Sequence, residues 1–238
     1  MPRWTLTLVL FLSMSGSYAV AQDTSSDRKA TEGGAGFFAI GMTRAGLGTL
    51  NDRLDAAGYP TFGTRLLSFG GGGYTLVGGR VLIGGEGHGV FAPSETVQGR
   101  DVTLGGGYGL ATVGYLAVAR SGWQVYPQVG VGLGGVSVEI GSADGANFDD
   151  VLDAPNREAR LNRGQLLASL ALHATYTLGA PEGASGFRIG LQVGYLFAPA
   201  HGDWTMGGHT LPGGPEAGLD GAFFRLLLGG GSLVQGGP

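Results

Sequence analysis

The sequence predicts an all-β fold, an eight-stranded antiparallel up-and-down transmembrane β-barrel. Three observations carry that expectation. Segments of 10 to 20 residues alternate large apolar residues with small or polar ones and hold almost no charge. The segments between them hold most of the charge. The connections run long, short, long in strict order, so one end of an antiparallel meander is trimmed and the other elaborated.

Composition narrows the alternatives. The chain has 238 residues, of which 50 are Gly and 10 Pro. That much Gly and Pro fits disorder, but 43% hydrophobic and 13% charged residues do not. The glycines follow no three-residue period, which excludes collagen. Net charge is -4 and no basic run exists, so nucleic acid is not an expected partner. Cys is absent, which excludes a disulfide scaffold, a thiolate metal site, a Cys nucleophile and a lipid-modified N-terminal Cys.

Residues 1–21 read as a cleaved signal peptide. Arg3 supplies the positive start, Trp4 to Met14 the apolar run, and Ala19-Val20-Ala21 the small-x-small cleavage pattern. The apolar run is shorter than the roughly 20 residues that span a bilayer. Residues 22–35 are polar and expected to be a flexible N-terminal segment. The barrel domain is expected over 36–231, with a tail at 232–238.

The eight strands follow in order, at about 35–44, 64–77, 80–91, 101–120, 123–140, 165–179, 187–198 and 219–231. The first has little alternation in Phe37-Phe38-Ala39-Ile40. Gly70 to Gly73 obscure the second; Gly84, Gly85, Gly87 and Gly89 obscure the third. In the fourth, Val102, Leu104, Tyr108, Leu110, Leu116 and Val118 oppose Thr103, Gly105, Gly107 and Gly109. In the fifth, Trp123, Val125, Pro127, Val129, Val131 and Leu133 oppose Gln124, Tyr126, Gln128, Gly130 and Gly132. The sixth sets Leu166, Leu170, Leu172 and Tyr176 against Ser169, His173, Thr175 and Thr177. The seventh is the clearest, with Phe187, Ile189, Leu191, Val193 and Tyr195 against Arg188, Gly190, Gln192 and Gly194. The eighth sets Phe224, Leu226 and Leu228 against Arg225. Strands send alternate side chains to opposite faces, so each segment has one large apolar face.

Long connections are expected at about 44–63, 92–100, 141–164 and 199–218, and short ones at Gly78-Gly79, Ser121-Gly122 and 180–186. Gly accepts the positive φ of two-residue hairpin turns. One helix is expected in the first long loop. Thr49-Leu50-Asn51-Asp52 has a capping-box arrangement, Leu50 and Leu54 stand one turn apart, and Gly58 and Pro60 stop it.

A sheet in hydrocarbon must close, because an open edge leaves backbone groups unpaired. Lipid takes the large apolar face, and a narrow bore takes small and polar residues. With these features the chain resembles the small eight-stranded bacterial outer-membrane barrels, such as the transmembrane domain of outer membrane protein A and its relatives. The last strand carries part of the likeness: Gly221, Phe224 and Leu226 match the family's assembly signal, although Leu219 stands where a polar residue is usual. The resemblance implies short periplasmic turns, long extracellular loops, outer-membrane lipid around the barrel, and the barrel-assembly machinery as a partner in biogenesis.

Glu86, His88, Gln128, Arg188, Gln192 and Arg225 are the candidate polar network of the bore, with Gln192 placed beside Arg188 and Arg225. Buried charges persist when paired. No catalytic, cofactor or metal site is expected. Ser169 and His173 lie four strand residues apart, about 13 Å, too far for a nucleophile and its base. His201, Asp203 and His209 match no regular ligand spacing and read as an exposed loop. Asp144, Asp149, Asp150 and Asp153 lack the alternating pattern of a calcium loop, and Arg157, Arg160 and Arg163 follow as their expected partners. The expected role is non-enzymatic, envelope-structural or surface-interacting through the long loops. The rivals are a narrow channel, a lipid-processing barrel enzyme, and a soluble periplasmic barrel that binds a ligand.

Overall fold

A computed structural model describes residues 33–92, 95–97, 100–142, 159–178 and 185–233. The proposed signal peptide, the acidic cluster at 144–153 and the end of the tail lie outside the described residues.

Eight strands form one antiparallel ring. They are β1 (Gly33–Arg44), β2 (Arg65–Val77), β3 (Val81–Phe91), β4 (Arg100–Tyr115), β5 (Trp123–Ser142), β6 (Ala159–Leu178), β7 (Gly186–Met206) and β8 (Gly221–Leu233). Each pairs with the next, and β8 returns to β1 with Ile40 opposite Leu226, so none of the eight is left as a sheet edge. Among the described residues the β1–β8 pairing runs from Gly33 opposite Leu233 to Thr43 opposite Phe223. Short strands at Glu95–Val97, Val118–Arg120 and His209–Leu211 extend three hairpins. The turn after β2 holds three residues between paired Val77 and Val81, one more than expected. Ser121 and Gly122 both have positive φ, as a type I′ hairpin requires.

The outer face is a belt of exposed apolar side chains. Phe187, Ile189, Leu191, Val193, Tyr195 and Phe197 mark it along β7, and Leu166 to Leu178 mark it along β6. Ten strand steps from Phe187 to Phe197, tilted as in membrane barrels, rise about 25 Å, the height of a hydrocarbon band. Aromatic pairs sit near both edges. Trp123 and Tyr176 have ring centres 5.1 Å apart near the turn end; Tyr195 and Phe197 are 4.7 Å apart near the loop end.

Beyond the belt the sheet continues into water. β5, β6 and β7 have 20, 20 and 21 residues, whereas β3 has 11. Above Leu133 and Leu166 the outward positions become Ser137, Glu139, Asn162 and Arg160. This corrects two expected loops: β6 begins at Ala159 and β7 runs to Met206, inside the spans 141–164 and 199–218. The alternation stops at the edge of the lipid, but hydrogen bonding does not. Two register shifts between β6 and β7 further hide the pattern.

The bore corrects a larger expectation. It is not lined by small and polar residues alone. Val102, Leu104, Tyr108 and Leu110, the large face of β4, and Leu116 just after it are buried and point inward, while Thr103, Gly105, Gly107 and Gly109 face outward. Two apolar clusters fill the bore. Tyr74, Leu76, Leu82, Leu116 and Tyr126 lie toward the turn end. Leu66, Val90, Val102, Leu104, Val136, Val138, Leu167, Leu196 and Phe223 lie toward the loop end. Midway along β2–β4 the outward positions are Gly, among them Gly71, Gly87 and Gly107, between exposed Leu67, Phe69, Ile83 and Val113, so local alternation there points the wrong way.

Candidate functional site

Between the two apolar clusters lies a polar layer that links opposite walls. Arg225 of β8 is fully buried. Its Nη1 donates to Gln192 Oε1 at 2.9 Å and stands 3.8 Å from Glu86 Oε1; its Nη2 donates to the Tyr108 hydroxyl. Its guanidinium also lies 3.9 Å from the centre of the Phe223 ring. Gln192 Nε2 donates to Glu86 Oε2 at 3.0 Å and lies 3.1 Å from His173 Nε2. His173 Nε2 donates to Gln128 Oε1 at 2.6 Å, and its ring stacks on Tyr126. His88 Nε2 stands 3.7 Å from Glu86 Oε2. One layer thus joins β3, β4, β5, β6, β7 and β8 across the bore.

Glycine makes room for it. Glu86 faces Gly72 across the β2–β3 pair, His88 faces Gly70, Tyr108 faces Gly134, and Arg225 faces Gly41. A Cβ on Gly72 would meet Glu86 Cβ at 2.8 Å, and one on Gly134 would meet Tyr108 Cβ at 2.6 Å. The high Gly content therefore fits the volume limit of a narrow bore, in which a large residue on one strand needs a small one opposite.

Arg188 departs from the expected grouping. It is buried, but its Nη1 donates to the Tyr74 hydroxyl at 2.8 Å, and no ion pair joins it to Glu86 or to any other carboxylate among the described residues. Gln192 neighbours Arg225, Glu86 and His173 instead. Ser169 faces the bore with His173, whose Nε2 is engaged by Gln128. Sequence reasoning left Tyr108 and Tyr74 out of the network. Their place shows only when the inward parity of β2 and β4 is known.

The loop end of the bore is capped. Helix α1 (Gly48–Ala56) buries Leu50 and Leu54 against the loop-end cluster, with Leu47, Phe62, Ala217 and Leu219 around them. The expected capping box does not form. Leu47 is the N-cap, and Thr49 Oγ1 donates to the Glu216 carbonyl, tying the helix to the segment before β8. Asn51 clamps Phe62 through two bonds, Nδ2 to the Phe62 carbonyl at 2.8 Å and Phe62 N to Oδ1 at 2.9 Å. Gly46 and Gly218 exchange backbone bonds at 3.0 and 3.1 Å. Trp204 Nε1 donates to the Pro215 carbonyl at 2.7 Å. Leu219 is buried here, which accounts for an apolar residue at that position.

Outside the belt, Arg160 pairs with Glu139, and Arg163 Nε donates to the Gly202 carbonyl at 2.9 Å. His201, Asp203 and His209 are exposed, on strands rather than in a loop; among the described residues no group of three or more potential ligands could hold a metal. Phe224 and Leu226 share the outward face of β8, and Gly221 begins that strand.

The closed ring and the belt define the class: an eight-stranded transmembrane β-barrel. No protein-family model matches the chain, and no curated protein does. Similar solved structures include two of Ail, the attachment invasion locus protein of Yersinia pestis, one of them in complex with the heparin analogue sucrose octasulfate. Identity is 12% and 10%, 85% of this chain and 97% of Ail are covered in each, and the TM-score is 0.45 in both.

Proposed function

We propose that this chain is a non-enzymatic, non-conducting barrel of the outer membrane of a diderm bacterium, and that its work is surface contact at the loop end. One observation carries this reading. β5, β6 and β7 run well past the apolar belt and turn polar outside it, while the bore beneath is filled and capped. A barrel built only to conduct needs an open bore, and one built only to anchor needs no projecting wall. His88 and His173, the histidines of the bore, are 4% and 0% exposed, walled away from any lipid substrate. The short turns would then face the periplasm and the projecting wall the outside.

Fractionation with protease shaving tests this. The protein should enter the outer-membrane fraction and, in intact cells, be cut only at loop-end segments. Recovery as a soluble periplasmic protein, or cutting at Ser121-Gly122 in intact cells, would overturn it. Removing the projecting hairpin across Gly207-Gly208 should leave membrane insertion unchanged and reduce contact with the molecules that the intact protein holds.

A further inference from the structure

We propose that the turn-end half of the bore binds one small monovalent anion, of halide size, at Arg188. The inference is independent of what the loops contact. Among the described residues the buried charged side chains are Glu86, Arg188 and Arg225, with buried His88 3.7 Å from Glu86 and buried His173 against Gln192. Glu86 serves Arg225 and Gln192. Among the described residues Arg188 is left with a phenol oxygen and no carboxylate. A buried guanidinium without a counter-charge is costly, so an anion beside it has a clear driving force.

The surroundings suit such an ion. Arg188 is 6% exposed and its Nε has no hydrogen-bond partner; Thr175, also 6% exposed, has a hydroxyl without one. Both line a cavity with Tyr74, Tyr126 and Phe37. The cavity is about 20 Å³, enough for a single small species of water or halide size. The guanidinium and hydroxyl supply donors to the ion, and the apolar rings around them lower the local dielectric, which strengthens the attraction.

The test uses the full chain refolded in detergent and heated in sodium chloride or in sodium gluconate at equal ionic strength. Gluconate cannot enter the cavity. The wild type should unfold at a higher midpoint in chloride, with a saturable dependence on its concentration, and crystals grown in bromide should show one anomalous peak at Arg188. Arg188→Gln should lose both signals. Thr175→Val keeps the cation, should shift the chloride dependence several-fold to higher concentration, and decides the matter if Arg188→Gln does not fold. Equal midpoints in the two salts, no bromide at Arg188, or an unchanged chloride dependence in either variant would overturn the proposal.

Discussion

Replacing Arg225 by Met tests whether the polar layer is an ion-paired network or merely a wet bore. Arg225 is fully buried, and its contacts are Gln192, Tyr108, Phe223 and the carboxylate of Glu86 at 3.8 Å. At that distance two unit charges attract by about 4 kcal/mol for an effective dielectric of about 20. Methionine fills much of the volume but strands Glu86 as a buried charge, and breaking a buried pair in this way costs about 3–5 kcal/mol. Glu86→Gln should cost a similar amount, because it strands Arg225. The double variant removes both charges, so its loss should fall short of the sum by at least about 2 kcal/mol, within the range measured for residues in one network. Urea unfolding in lipid vesicles, followed by Trp204 in the cap and Trp123 at the belt edge, measures all four proteins. Losses that add to within about 0.5 kcal/mol would mean that the two groups do not sense each other, and the network reading would be refuted.

Four further outcomes are expected. Leu191→Arg places a charge in the middle of the belt and should lower folded yield in vesicles by about 2–4 kcal/mol of stability; a near-neutral result would mean that this face meets water. Gln192→Glu sets a second carboxylate where an amide now donates to Glu86 at 3.0 Å; it should impair assembly and be rescued by Glu86→Gln, and no rescue counts against the contact. Leu50→Ala and Leu54→Ala should each cost about 2–5 kcal/mol and loosen the cap. In planar bilayers the wild type should show no porin-sized channel and the double variant raised leakage, so a large open channel in the wild type refutes the filled bore.

The strand count, the long and short rhythm of the connections, and the faces of β5 to β8 were legible in the order of residues alone. Those strands cross a full hydrocarbon band, so lipid imposes the period-two alternation that makes them readable. Arg188, Gln192 and Arg225 stood out as inward residues because each interrupts a run of large apolar neighbours at the opposite parity. The rest follows from packing in three dimensions. The inward turn of Val102, Leu104 and Tyr108 depends on which residues across the bore need filling, and the outward glycines of β3 and β4 carry no period to reveal it. The separation of Arg188 from Arg225 depends on height along the bore, which the β7–β8 register sets by pairing Arg225 with Gln192 and Arg188 with Gly229. The extension of β6 and β7 past the belt has no apolar signature, because water accepts almost any side chain there. Closure, register and crowding are properties of the ring as a whole, and no single strand encodes them.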